Sequence, residues 1–227
     1  MKVTITKPEL FAAACRFVGK EETRYYLKGV HVRPAAMGGL LIIATDGHRL
    51  FAAYDENGTW EGYANTGSDR LPDYIFTPHT AKQPKKHFDA DALILDGSTA
   101  TYIGPKGASI VQCSAGSCEY PHWARVMPSC NAFDEHASLK DASFNGEYVA
   151  DFCDVRKLLG AGGAFVVHHT GENPALVSMG RSDCVGVIMP MRVGGRGVGS
   201  MDTAYAAKGA ILSALDDRYA SHAIAAE

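Results

Sequence analysis

The stretch LLIIATDGHRLFAAY, residues 40–54, sets Asp46, His48 and Arg49 between two apolar runs. A carboxylate that orients an imidazole base is two thirds of a nucleophilic triad. The third member is not apparent: no G-x-S-x-G elbow occurs in the chain. Asp46 and His48 would share a face on a strand, but not in a turn. The other reading makes His48 a turn residue hydrogen-bonded to backbone. His168 and His169 fall in a strand-like run, where neighbours point to opposite faces, which disfavours joint metal ligation. The six cysteines, Cys15, Cys113, Cys118, Cys130, Cys153 and Cys184, form no C-x-x-C pair. The spacing of Cys113, Cys118 and Cys130 is wrong for a zinc knuckle. GGRGVGS, residues 194–200, follows a strand and precedes a helix, as a dinucleotide loop would. Ser200 replaces the third fingerprint glycine and no βαβ unit with a distal acid follows, so a flexible linker is the expectation. No catalytic residue, metal or cofactor is expected.

The elements that would position these residues follow from periodicity and turn chemistry. MKVTIT alternates and reads as a strand. Pro8 then opens a helix whose stripe is Leu10, Phe11, Ala14, Phe17 and Val18, with Gly19 as its stop. Residues 24–33 read as a strand, Gly38-Gly39 as the turn, and residues 40–54 as the partner strand. Asn57-Gly58 marks a further turn. Residues 72–78 are strand-like, 79–87 a short basic helix or turn weakened by Pro84, and 91–96, 99–103 and 107–113 short strands. After a break rich in Ser, Pro and Cys (117–136), the opening order returns: strand (139–144), helix (147–159), Gly-rich turn (160–163), and strands at 164–169, 175–179 and 184–192. Residues 201–224 read as an Ala-rich helix. Strand, helix and antiparallel strands thus recur at 1–54, 72–113 and 139–192. This implies an α+β fold with sheets on one side and helices on the other.

The whole-chain numbers allow this. The 227 residues, 46% hydrophobic and 21% charged, can build a proper core. A net charge of -3 confines any nucleic-acid surface to local patches, of which Arg16, Lys20 and Arg24, and Lys82, Lys85 and Lys86, are the candidates. No apolar run is long enough to span a membrane, and MKVTITKPEL lacks a signal core, so a cytoplasmic protein with reduced thiols is expected.

Three stretches point further. RYYLKGVHV (24–32) with ATDGHRL (44–50), then YPHWARVMP (120–128), then VIMPMRV (187–193) together resemble the bacterial DNA sliding clamp, the beta subunit of the replicative DNA polymerase III. FNGEYVADFCDVRKLL (144–159) is similar to the family's last helix. By this resemblance, residues 1–128 form a clamp middle-domain-like part, 129–193 a partial last-domain-like part, and 194–227 a linker and C-terminal helix. The implied fold is the processivity fold of repeated strand-helix-antiparallel-strand units.

In that family the TDGHRL turn is not catalytic but walls an apolar groove in which short linear motifs of polymerases, the clamp loader and repair proteins dock. The groove implied here is Leu27, Thr45, Gly47, His48, Arg49, Leu50, Pro121, Arg125, Val126, Val187, Met189, Pro190, Met191 and Arg192. Leu, Val, Met and Pro suit an adaptable apolar floor, and Arg49, Arg125 and Arg192 suit its rim. The resemblance also implies sequence-independent contact with double-stranded DNA through Arg24, Tyr25, Tyr26, Lys82, Lys85 and Lys86. Glu21 departs from the uncharged polar residue expected beside DNA. The expected function is a non-catalytic DNA polymerase processivity factor. The alternative is a non-encircling module or decoy that binds clamp-binding motifs. The shortened chain would close a ring only as a homo-oligomer, a trimer if the 201–224 helix completes the last domain.

Overall fold

The computed structural model describes residues 2–61, 74–78, 82–116, 120–128, 142–169 and 173–191. Met1–Pro190 form one compact unit, and Met191–Glu227 belong to a second, of which Met191 alone is described. The strand-helix-strands unit is plain in the order of elements. The first run is β1 (Lys2–Ile5), α1 (Pro8–Ala14), a 3-10 segment (Glu22–Leu27), β2 (Val30–Pro34), β3 (Leu40–Thr45), β4 (Arg49–Asp55) and the short β5 (Thr59–Trp60). The second is β6 (Tyr74–Pro78), α2 (Lys85–Phe88), β7 (Ala92–Asp96), β8 (Thr99–Gly104) and β9 (Gly107–Gly116). After a 3-10 turn at Trp123–Val126 come α3 (Gly146–Leu158), β10 (Val167–His168), β11 (Ala175–Ser178) and β12 (Cys184–Ile188).

The first two units exchange their leading strands. β1 pairs with β7, Val3 opposite Leu95, while β6 pairs with β2, Phe76 opposite Val30. β9 serves both sheets: Gly107 to Gln112 pair with β8, and Cys113 to Gly116 with β6. The third unit joins by its edge, β12 running antiparallel to β4 with Val187 opposite Leu50. The result is one continuous order, β10-β11-β12-β4-β3-β2-β6-β9-β8-β7-β1-β5.

Helix α1 begins at its proline, whose missing N–H costs nothing in the first turn. Its cap comes from far away: the fully buried Asp55 at the end of β4 accepts from Thr6 N and Thr6 Oγ1 at 2.6 Å each, and from Lys7 N at 3.3 Å. A carboxylate there also suits the positive end of the helix. Leu10, Phe11 and Ala12 to Ala14 are all buried. The helix stops at Ala14, short of the expected Gly19, yet Phe17 and Val18 keep their places in the core. The third unit is tied to this corner by Arg181, which bonds Glu9 at 3.1 Å and Asp183 at 2.6 Å.

Several expectations are corrected. Residues 24–33 are not one strand. The chain makes a 3-10 turn to Leu27, pinned where Gly19 N donates to Leu27 O at 2.7 Å, and becomes extended only from Val30. Residues 40–54 are two strands folded into a hairpin, with the turn at 46–48. Of 79–87, residues 79–81 lie outside the described residues, and from 82 on the helix begins only at Lys85, after Pro84 at its N-cap. The strand expected at 164–169 contracts to Val167–His168; of the strand expected at 139–144, residues 139–141 lie outside the described residues and Ser143 makes an isolated bridge. The boundary expected at 129, the linker at 194–200 and the helix at 201–224 lie outside the described residues. No described helix is long and apolar enough to cross a membrane.

Candidate functional site

Strand alternation sorts the β2-β3-β4-β12 side chains onto two faces. Val30, Val32, Leu40, Ile42, Ala44, Phe51, Ala53 and Ile188 enter the core with α1 and with Phe152 and Val155 of α3. Their alternates, Leu41, Ile43, Leu50, Ala52, Val185 and Val187, form a second apolar cluster with Leu27, Ile75 and Tyr120 on the opposite face. Both faces are therefore apolar, but among the described residues the second is covered by the 3-10 segments and the stretch leading into Trp123. A sheet face closed so sparsely leaves a groove.

That groove has a volume of about 250 Å³. Leu27, Leu50, Val126 and Val187 give it an apolar base. Thr45, Gly47 and His48 wall it on the hairpin side, Pro121, His122 and Trp123 on the other, and Arg24 and Tyr26 at one end. Met189, 36% exposed, stands at the rim. A second recess of about 260 Å³ shares Arg24, Leu27, His48 and Arg49 and runs toward Glu147 and Tyr148 of α3.

The polar knot is the scaffold of this wall. Asp46 Oδ1 accepts from His48 N at 2.9 Å and Arg49 N at 3.0 Å, and its Oδ2 from Arg49 Nε at 3.0 Å. Thr45 Oγ1 donates to Arg49 O at 2.7 Å and accepts from Gly47 N at 3.0 Å. Gly47 takes φ +90, a backbone conformation that favours glycine, and the Arg24 guanidinium lies close by, 2.9 Å from where a Cβ would stand. His48 O accepts from Met189 N at 2.8 Å, which fixes the turn to the end of the third unit. Asp46 thus spends its carboxylate on the turn rather than on orienting the His48 ring.

Arg49 is corrected from rim to interior. It is 7% exposed. Its guanidinium bonds Asp46, Asp151 of α3 at 2.5 Å and Arg16 O at 3.2 Å. It lies 4.6 Å from the Tyr148 ring centre and 5.2 Å from that of Phe17. It lines the groove by its position, with its donors already committed.

Of the other expected groove residues, Leu27, Thr45, Gly47, His48, Leu50, Pro121, Val126, Val187 and Met189 come together. Arg125 is exposed on the 3-10 turn and, like Pro190, is not part of the lining. Met191 is 54% exposed, and Arg192 lies outside the described residues. Arg24 and Tyr26, expected at DNA, line the groove, whereas Tyr25 is 67% exposed with its ring edge-on to Tyr26. Lys85 and Lys86 open α2, exposed, and Lys82 precedes them, also exposed. His122 and Trp123 were not expected in the wall; a Trp between Pro121 and Val126 was the available signal. Among the remaining thiols, burial pushes Cys184 up to about 12 and Cys15 higher still, so both are inert at neutral pH. Cys118 and Cys130 lie outside the described residues.

No family model matches the chain. The beta sliding clamp of Caulobacter vibrioides is 29% identical over 124 residues, 51% of this chain and 30% of that protein. Among solved structures, the sliding clamp of Bartonella birtlesii bound to griselimycin superposes with a TM-score of 0.56 at 18% identity, over 85% of this chain and 66% of that one. The Caulobacter crescentus clamp gives a TM-score of 0.55 at 20% identity, over 85% of this chain and 65% of the other. The Borrelia burgdorferi DNA polymerase III subunit beta, in complex with a natural product, gives 0.57 at 12% identity over 86% and 65%. The chain therefore spans just under two thirds of the structures it matches, and it carries the fold of the bacterial DNA sliding clamps.

Proposed function

We propose that the chain is a sliding-clamp-like processivity factor, not itself a catalyst, that tethers replication proteins to DNA. Its groove would dock short linear segments of a DNA polymerase and of clamp-loader subunits. The observation that carries this reading is convergence. Residues from stretches far apart in sequence, Leu27, Thr45, Gly47, His48, Leu50, Val126, Val187 and Met189, meet in one apolar groove on the sheet face away from the helices. A groove with a rim methionine accepts Leu or Phe side chains from different partners. Docking a weak binder beside template raises its effective concentration there without chemistry. Double-stranded DNA would meet the helix side, where Lys85 and Lys86 stand at α2, through phosphates alone.

The experiment is fluorescence anisotropy with a labelled octapeptide carrying a central Leu-Phe pair. Wild-type protein binds it, and Met189→Ala weakens binding by about 1 kcal/mol through lost apolar contact. Unchanged affinity removes the groove from the reading. Retention on closed circular DNA, measured across a salt series, tests the other half. Binding should fall steeply with salt and ignore sequence. Peptide binding without DNA retention would leave a groove-only interaction module.

A further inference from the structure

We infer that the groove is one half of a longer trench whose other half selects partner segments carrying an acidic side chain beside their apolar anchors. This rests on the docking role proposed above and adds its charge specificity. Next to the apolar groove lies a wider recess of about 650 Å³, and the two share Tyr26, Pro121, His122 and Trp123 as a common wall. A segment docked in the first compartment and extending past these four residues would reach the second.

The two compartments differ in kind. The sheet face beneath them is apolar at β3, β4, β6 and β12, through Leu41, Ile43, Leu50, Ile75 and Val187. On β2 the same face carries His31 and Arg33, two residues apart and hence side by side. His31 lies flat against Tyr120, ring centres 4.4 Å apart, and is 2% exposed. Arg33 borders the open recess. No ion pair to it forms among the described residues, and its Nε is buried with no hydrogen-bond partner there. The described lining holds Arg33 and two histidines, the rings of Tyr26, Tyr120 and Trp123, and no carboxylate. A half-buried guanidinium in a recess that also holds three aromatic residues, with a donor unused among the described residues, is matched by one chemical group above others, a carboxylate that can take two parallel N–H bonds. Aromatic walls that shed water strengthen that bond. The occupant is accordingly an acidic residue of the docked segment, a few positions from its Leu or Phe anchor.

The test is a positional scan. Fluorescein-labelled octapeptides keep the central Leu-Phe pair, and one Asp is walked through the flanking positions, each peptide matched by its Asn counterpart. At one or two adjacent positions Asp should bind wild-type protein about tenfold more tightly than Asn, as a charge-assisted pair does. Arg33→Met, which keeps the apolar stem, should erase that advantage and leave the Asn peptides unchanged. Thermal unfolding of the variant checks that it is folded. An Arg33→Gln variant, which retains a single donor group, repeats the comparison if R33M is not. Leu-Phe peptides that bind with no Asp preference at any position, or a preference that survives both variants, overturn this inference alone. Peptides that bind with a preference only for a free C-terminal carboxylate also overturn it. Failure of every peptide to bind wild-type protein overturns the docking reading and this inference with it.

Discussion

Arg49 shows how one residue changes meaning between sequence and structure. In the turn TDGHR it stands among polar neighbours and looks like a rim cation. Its partner Asp151 is 102 positions away, and no local pattern announces it. Once α3 packs on the sheet, the guanidinium joins the hairpin, the segment after α1 and α3 in a single set of bonds. Removing it leaves two carboxylates facing each other's vacancy. Arg49→Met should therefore destabilise the fold by about 3 kcal/mol, toward the lower end for a broken buried pair because Asp151 is 40% exposed and takes up water. Urea unfolding at neutral pH measures it. A loss of only about 0.5 kcal/mol, ordinary for a surface change, would contradict the interior role. Arg49→Lys should not restore stability, since one ammonium cannot reach Asp46, Asp151 and the Arg16 carbonyl together. The apolar groove residues Leu27, Leu50 and Val187 were readable because their stretches carry the resemblance. Arg24 and Tyr26 were assigned to DNA by the resemblance, whereas the 3-10 segment that carries them sets both in the groove lining.

At the scale of elements, close approach decides the seat of α3. Gly186 lies at a helix-facing position of β12, between Cys184 and Ile188, and an added Cβ would overlap the Phe152 ring. The absent side chain is what lets the helix settle on the strand with Phe152 fully buried against Phe17, ring centres 4.7 Å apart. Gly186→Ala should cost about 2 kcal/mol by overpacking. Phe152→Leu in the same chain should recover part of that cost, so that the two changes are less than additive. Thermal unfolding of both single variants and the double variant reads the coupling, and strict additivity would show that α3 does not press on this strand. Most elements were legible because their signals are local: Pro8 at a helix start, and Gly38 and Gly39 at φ +88 and +75 in a turn. The misread ones depend on distant contacts. Residues 24–33 alternate like a strand, yet Glu22–Leu27 form a 3-10 segment held by the Gly19 to Leu27 bond, and the strand begins only at Val30. β5 is two residues long and exists because Val3 and Thr4 offer it an edge.

Across the whole molecule, two buried imidazoles sit on opposite faces of the sheet and make the fold acid-sensitive. Burial, with Arg33 nearby, lowers His31 to about 3. Burial, with Lys86 nearby, lowers His87 to about 4, where its ring stacks on Tyr102 at 3.8 Å and Nδ1 meets Gln83 Oε1 at 2.8 Å. Both are neutral in the folded chain at pH 7. In the unfolded chain each takes up a proton near pH 6.5. The unfolded state thus binds more protons as pH falls, so the stability contributed by each group is present above about pH 6.5 and is lost as pH descends toward the folded value. For His31 the loss between pH 7 and pH 5 is about 2 kcal/mol, and His87 adds to it in the same direction. Asp183 behaves differently. Its hydrogen bond from Arg181 holds it at about 2, so its contribution persists through this window and fades only below pH 4. Denaturant unfolding at a series of pH values between 7 and 5 should therefore show a fall that His31→Gln makes shallower. Because His31 underlies the recess beside Arg33 and His87 is a buried residue of α2, acid should loosen the groove face and the helix face together. A pH profile flat from 7 to 5 in wild-type protein would mean that the imidazoles are not held neutral by burial.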